Sequence, residues 1–445
     1  MFSAGDMALV KFVDFAYGGE GVGRVDNFVV FAPYTAPGDE AEVEIVEAKK
    51  RFARGRLVRV VNPSPLRVEP QCSLFGRCGG CTMQHIAYEE QLKIKHKMVL
   101  DSLRRIGHFQ SPPLKEVRPS LKRFGYRSRA RLHIRGGLVG FLALRSHELV
   151  PVEECPILEP QLNEALPEVR EIARRVPGLS QVLLRARREE GAGAMCVLFG
   201  RASKEETERA LSGLELNRVQ DIVWVDPDSG QVWALRGEES AFEFVAETPL
   251  RCTAHAFFQV NPSVTEVLVR LVQRAVGDPK GKVIWDLYAG VGTFALTVAK
   301  NPKKAVAVEA DPLAYGDAAW NTREGLRRPW VEVIHGAVEE VVPRLPPRPD
   351  VAILDPPRGG CSKEALRAIL RAKPKALVYV SCDPPTFARD AAEICKRGYR
   401  LEWVEPLDMF PQTHHLELVA KFSMRVELVE GPPPKPPRFR RKGKA

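Results

Sequence analysis

From Val283 to Cys382 the chain alternates short apolar runs with helical stretches, and this alternation restricts the fold more than any other feature. The runs are VIWDLY, AVAVEA, VEVIHG, VAILDPP and ALVYVSC. Strands buried on both faces and followed each time by a helix form a parallel sheet covered on both sides. Two later runs, LEWVEPLDMF and LELVAKF, have little helix between them and predict an added antiparallel pair. The expected class is α/β, with a doubly wound domain over 251–428. Such sheets bind ligands beyond the carboxyl ends of their strands.

At 445 residues the chain is too long for one core. Residues 1–64 carry β-rich runs (ALVKFVDF, VVFAPY, EAEVEIVEA, GRLVRVV) between glycine-rich turns, which predicts a small β-barrel. Pro63, Pro65 and Pro70 mark a linker, and 65–250 reads as a central α+β unit. The tail 429–445 is basic and proline-rich, holds no carboxylate after Glu430, and is expected to be disordered. The nine cysteines, without a secretory leader or a long apolar run, predict a soluble protein of the reducing cytoplasm with no membrane partner. There the thiols serve as ligands or catalysts more often than as staples.

Three strand ends carry chemistry. In DLYAGVGTF, Gly290 and Gly292 let the backbone turn tightly and a ligand approach it, and Glu309 ends the next strand at the distance where a carboxylate binds ribose hydroxyls. The G-x-G-x-x-G helix start of dinucleotide enzymes is absent, and D-L-x-x-G-x-G instead resembles S-adenosylmethionine methyltransferases. In ILDPPRGG, Asp355 precedes a rigid Pro-Pro step at the sheet edge. In VYVSCDPPTFARD, Cys382 ends a strand and Asp383 precedes Pro384, a pattern for a capped helix whose positive end lies near the thiol.

Two further clusters point to a ligand and a partner. Cys72, Cys78 and Cys81 in CSLFGRCGGC, joined by Cys155, offer four thiolates that suit either zinc or a 4Fe-4S cluster. Arg118 to Arg135 holds seven Lys or Arg and no carboxylate. Arg127, Arg129 and Arg131 alternate on one strand face, and Phe124 and Tyr126 offer rings to unpaired bases, so this run is the candidate RNA groove. A formal net charge of +10 agrees with a polyanionic partner.

In this order, DLYAGVGTF, LDPPRGG, VYVSCDPPTFARD and LDMFPQTHHLELVAKF resemble the S-adenosylmethionine-dependent RNA 5-methyluridine methyltransferases. The resemblance spans nearly the whole chain: the first segment is similar to a TRAM domain and the cysteine cluster to that family's 4Fe-4S motif. It implies a Rossmann-like class I methyltransferase domain, with Cys382 as nucleophile and Glu417 as base. Gln259, Tyr288, Gly290, Gly292, Thr293, Glu309 and Asp355 then meet the cofactor or the pyrimidine. It further implies 23S rRNA as substrate and a monomeric enzyme.

Three departures from the family matter. Asp383 stands where Asn is frequent, and an adjacent carboxylate disfavours a thiolate unless capping consumes its charge. Ala337 stands where a polar residue is frequent near the adenine. Cys361 raises an RNA cytosine-C5 methyltransferase as a rival, although it lies several residues too late. A tRNA 5-methyluridine methyltransferase and a noncatalytic RNA-binding iron-sulfur protein are further candidates. Phe257 and Phe258 are expected in the core, and no catalytic role is assigned to His414 or His415.

Overall fold

The computed structural model describes residues 2–26, 28–188 and 193–425; the basic tail lies outside this range. Strands β1 (Met7–Ala16), β2 (Glu20–Val25), β3 (Phe28–Pro33), β4 (Glu40–Ala48) and β5 (Phe52–Asn62) close into a barrel of order β1-β2-β3-β5-β4. Strict alternation directs Ala8, Val10 and Phe12 of β1 into its small core. The cysteine segment follows, and then helix α1 (Tyr88–Arg105).

The central unit is a seven-stranded sheet. It contains β6 (Arg129–Arg135), β7 (Leu138–Leu142), β8 (Leu149–Pro151), β9 (Leu179–Ala186), β10 (Ala194–Gly200), β11 (Val219–Val225) and β12 (Val232–Arg236). Helix α2 (Pro160–Arg175) covers it with Leu162, Leu166, Val169 and Ile172, spaced for one helical face, while α3 (Lys204–Leu211) starts in a capping box on Ser203. A hairpin of β13 (Ser240–Val245) and β14 (Thr248–Thr253) leads into α4 (Pro262–Val276).

The C-terminal unit contains β15 (Val283–Leu287), α5 (Thr293–Thr297), β16 (Lys304–Glu309), α6 (Pro312–Trp320), β17 (Val331–His335), α7 (Val338–Val341), β18 (Val351–Leu354), α8 (Lys363–Arg371), β19 (Ala376–Ser381), α9 (Pro384–Lys396), β20 (Tyr399–Leu407) and β21 (Glu417–Met424). Its sheet order is β17-β16-β15-β18-β19-β21-β20. The five strands β15 to β19 run parallel, and β21 joins β19 antiparallel, so the expected pair is present. Apolar cores fill both faces.

The stretch 65–250 does not pack as one body. Val99 and Leu103 of α1 lie in the same core as Trp285 and Leu287 of β15. The strand-like segment beyond α1 runs parallel to β20, where Lys115 N–H donates to Val404 O and Arg118 N–H to Pro406 O, both at 2.8 Å. Val245, Leu250 and Cys252 of the hairpin likewise enter the C-terminal core. No helix among the described residues is long and apolar enough to cross a membrane.

Candidate active site

Two titratable side chains meet where the β19–β21 pairing ends. β19 and β21 pair antiparallel as far as Ser381 opposite Leu418, and Cys382, the residue after β19, lies close enough to the Glu417 carboxyl at the start of β21 to feel its charge. Glu417 is only 2% exposed. Burial raises its carboxyl well above the usual range, the neighbouring Asp355 raises it further, and Arg358 pulls it back. Cys382 is half-buried. Burial pushes its thiol up to about 12, Glu417, Asp355 and Asp383 act in the same direction, and Arg358 opposes them. The expected helix cap is present: Asp383 Oδ1 accepts from Thr386 N–H at 2.9 Å at the start of α9. Burial is the largest influence on the thiol and acts against its ionisation.

The cation facing both groups is Arg358, in the turn after β18. Its place in LDPPRGG gives no sign of this role before the chain folds, because only the packing of β18 against β19 brings it to the thiol.

A second cluster of carboxylates lies at the ends of β15, β16 and β18. Asp286 is fully buried; its Oδ2 accepts from Ala295 N–H at 2.7 Å, while Oδ1 has no hydrogen-bond partner. Burial pushes it up to about 7, against the pull of the Ala295 amide, and Asp355 and Glu309 add repulsion. Asp355 is likewise raised to about 7, by burial and then by Glu309. Glu309 accepts from Gly290 N–H and Asp311 N–H, both at 2.7 Å, and from Ala310 N–H at 2.8 Å. A carboxylate has about four acceptor positions, so this one retains capacity for a hydroxyl.

Gly290 has φ +56° and nothing within 4 Å of the place a Cβ would take, so the backbone there is open to a ligand. An orphaned buried oxygen, an open glycine turn and three converging carboxylates fit a cationic nucleoside. Tyr288 and Thr293 border this turn, both half-buried, and Gly292 caps α5. Ala337 precedes α7 and offers no polar side chain.

The stretch FFQVNP enters from the start of α4. Phe258 is buried as expected, but Phe257 is 68% exposed beside half-buried Gln259. Phe257 is therefore not the core residue expected from the sequence. Nothing in the FF pair distinguishes the two rings before folding.

The basic run divides differently from its alternation. Tyr126 is 1% exposed and its phenol donates to Pro411 O at 2.9 Å, so it holds the β20–β21 loop and has no face for a base. Arg129 donates to the carbonyls of His255 and Ala256, both at 2.8 Å, which fixes the backbone before Phe257 and leaves its guanidinium committed. Arg127 lies outside β6 and donates to Arg129 O at 2.9 Å. Arg131 is exposed, bonded to Gln181 and placed over the Phe199 ring. Phe124 is half-buried, and Leu121, Lys122 and Arg123 before it are exposed. The exposed cations of the run are Arg118, Lys122, Arg123, Arg131 and Arg135, of which Arg118 is paired with Glu405 and Arg123 with Glu89.

Cys72, Cys78, Cys81 and Cys155 line one cavity of about 150 Å³ with Phe75, Phe141 and Leu158. Among the described residues no three ligand side chains are grouped closely enough to hold a single metal ion. Four thiols lining one cavity are a donor set with the chemistry of a thiolate-held centre. Cys361 is buried before α8, with its N–H donating to Asp390. Cys196 and Cys252 are core residues; Cys395 is half-buried on α9.

Comparison with known proteins agrees with this geometry. Residues 4–58 match the TRAM domain, and 349–423 match the tRNA (Uracil-5-)-methyltransferase family. An uncharacterized RNA methyltransferase of Synechocystis sp. is 34% identical over 90% of this chain and 92% of its own length. One from Halalkalibacterium halodurans is 32% identical over 94% of this chain and 97% of its own. The crystal structure of the Pyrococcus abyssi tRNA (uracil-54, C5)-methyltransferase in complex with S-adenosyl-L-homocysteine superposes with a TM-score of 0.72 at 29% identity, covering 93% of this chain and all of that one. The chain belongs to the TRAM-containing, S-adenosylmethionine-dependent RNA uracil-5-methyltransferase family.

Proposed function

We propose that this protein methylates carbon 5 of a uridine in RNA through a covalent bond between Cys382 and carbon 6. The observation that carries the reading is the closeness of the Cys382 thiol to the buried carboxyl of Glu417 where β19 and β21 end their pairing. Carbon 5 of uracil is a weak nucleophile until a group adds at carbon 6. The Cys382 thiol gives its proton to solvent, Arg358 stabilising the thiolate that remains, its sulfur bonds to carbon 6, and the displaced electron pair forms an enolate over carbon 5 and the carbonyl oxygen. S-adenosylmethionine, when bound, supplies the electrophilic methyl. Glu417, a strong base once ionised in its desolvated place, takes the proton from carbon 5. The electrons of that bond then expel the Cys382 thiolate.

Gln259, Tyr288, Gly290, Gly292, Thr293, Glu309 and Asp355 serve the cofactor or the pyrimidine, joined by Asp286. Phe257 and Phe124 stack on flanking bases, while Lys122, Arg123 and Arg131 meet phosphates. The uridine must leave its stack to reach Cys382. The four cysteines hold a 4Fe-4S cluster in a structural role.

The substrate read from the sequence is 23S rRNA, on the ground that the bacterial tRNA enzymes of this type generally lack both the barrel and the cysteine motif. The Pyrococcus abyssi tRNA enzyme, similar over 93% of this chain, supports a tRNA substrate instead. tRNA is therefore a second reading of equal standing. Methyl-labelled S-adenosylmethionine supplied with unmodified 23S rRNA, 16S rRNA and tRNA transcripts decides between them. Label recovered as 5-methyluridine supports the reaction, and the labelled transcript names the substrate; label in 5-methylcytidine overturns it.

A further inference from the structure

The turn between β1 and β2 reaches out of the barrel to the nucleophile's own turn. Tyr17 donates its phenolic proton to Asp383 Oδ2 at 2.8 Å. The other oxygen, Oδ1, accepts from Thr386 N–H at 2.9 Å and from Thr386 Oγ1 at 2.8 Å. Both oxygens of the carboxylate next to Cys382 are thus engaged, one by the helix it caps and one by a residue 366 positions earlier in the chain.

The approach is built closely. Gly19 has φ +84°, and a Cβ there would lie 2.8 Å from His414 Nδ1 and 2.9 Å from the Thr82 side chain. The Tyr17 ring meets the His414 ring edge-on at 5.8 Å. Thr82 in turn bonds the His414 backbone, its Oγ1 accepting from His414 N–H at 3.0 Å. Barrel, cysteine segment and catalytic loop therefore meet at one point.

The contact bears on the chemistry because a free carboxylate beside Cys382 opposes formation of its thiolate. The groups facing that sulfur are Glu417 from β21, Arg358 and Asp355 from the turn after β18, Asp383 from the cap of α9, and Tyr17 from the barrel. Among these, Arg358 alone carries positive charge. A hydrogen-bond donor that draws charge away from Asp383 acts on the same side as Arg358.

We propose that Tyr17 is a positioning residue of the barrel which, by donating to Asp383, offsets the negative charge beside Cys382 and makes the docked barrel a condition of full nucleophile reactivity. The inference rests on Cys382 being the nucleophile.

The test measures the rate of covalent adduct formation with 5-fluorouridine RNA across pH, with RNA affinity and its salt dependence alongside, for the full-length protein and its Tyr17→Phe, Asp383→Asn and doubly substituted forms. Tyr17→Phe is expected to slow the adduct on the order of tenfold at neutral pH, as loss of a hydrogen bond to a charged group implies. It should also move the rising limb of the profile to higher pH and leave RNA affinity unchanged. Adding Asp383→Asn should restore most of the rate, because the amide still caps α9 and leaves no charge to offset. A Tyr17→Phe profile identical to wild type overturns the inference. So does a rate loss matched by an equal loss of RNA affinity, or a double variant no faster than Tyr17→Phe. No adduct from the wild type would instead overturn the nucleophile reading, and this inference with it.

Discussion

The proposed mechanism places Cys382 and Glu417 at opposite ends of one reaction, so their variants should fail differently. Cys382→Ser is expected to lower methyl transfer by about 10³-fold or more and to abolish the covalent adduct while RNA binding persists. Glu417→Gln should also stop turnover but let a protein–RNA adduct accumulate on natural uridine, visible on a denaturing gel, because the proton on carbon 5 has no acceptor. Arg358→Gln removes the cation facing both groups, and its pH–rate profile should rise at higher pH than that of the wild type. That Cys382 and Glu417 belong to one site was expected from their motifs, and the fold places the two groups within reach of each other's charge. Asp286 and Phe257 were not legible: an aspartate ending a strand and one ring of an FF pair acquire meaning only when an orphaned oxygen or an exposed face is seen. Tyr126 misled because alternation says which residues share a face, not which face another segment covers.

At the scale of elements, two buried carboxylates of the β20 region lock the catalytic unit to its neighbours. Glu405 on β20 is 1% exposed and meets Arg118, Arg274 of α4 and Lys115. Burial alone would raise its carboxyl, but the hydrogen bonds from Arg274, Arg118 and Lys115 outweigh it and hold the value at about 2. A depressed folded value means stability that is fully present above the ordinary glutamate range and lost as pH falls toward 2. Glu405→Gln should flatten the decline of the melting temperature over that interval. Lys95 of α1 and Asp408 are both fully buried and ion-paired. Lys95→Met leaves the partner charge uncompensated and is expected to cost about 3–5 kcal/mol in denaturant unfolding. The strand and helix periods of the C-terminal unit and the strands of the barrel were readable, whereas the seven strands of the central sheet were read only as a mixture of strands and helices. The membership of α1 in the catalytic core was not readable, since an amphipathic period shows that a face is buried without naming the partner.

At the scale of the molecule, the β20–β21 loop is where all three parts converge. Thr82 and Met83 N–H donate to Gln412 O, Tyr126 holds Pro411 O, Asn261 holds Met409 O, and Tyr17 reaches the adjoining turn at Asp383. RNA held by the outer parts is thereby linked physically to the strand that bears Glu417. Replacing Lys122 and Arg131 together by Gln should reduce the salt slope of RNA binding by about two, one per lost phosphate contact. Arg129→Gln should leave the slope unchanged and lower activity instead, because its guanidinium holds the His255 and Ala256 carbonyls. The central claim is that Cys382 bonds to carbon 6 of a flipped uridine, and a fluorine at carbon 5 blocks the last proton removal and freezes that bond. The decisive measurement incubates the full chain with S-adenosylmethionine and 5-fluorouridine-substituted transcripts, digests both polymers and maps the modified peptide by mass spectrometry. A nucleotide carried on Cys382 is the expected result; an adduct on Cys361, or none on any cysteine, would contradict it.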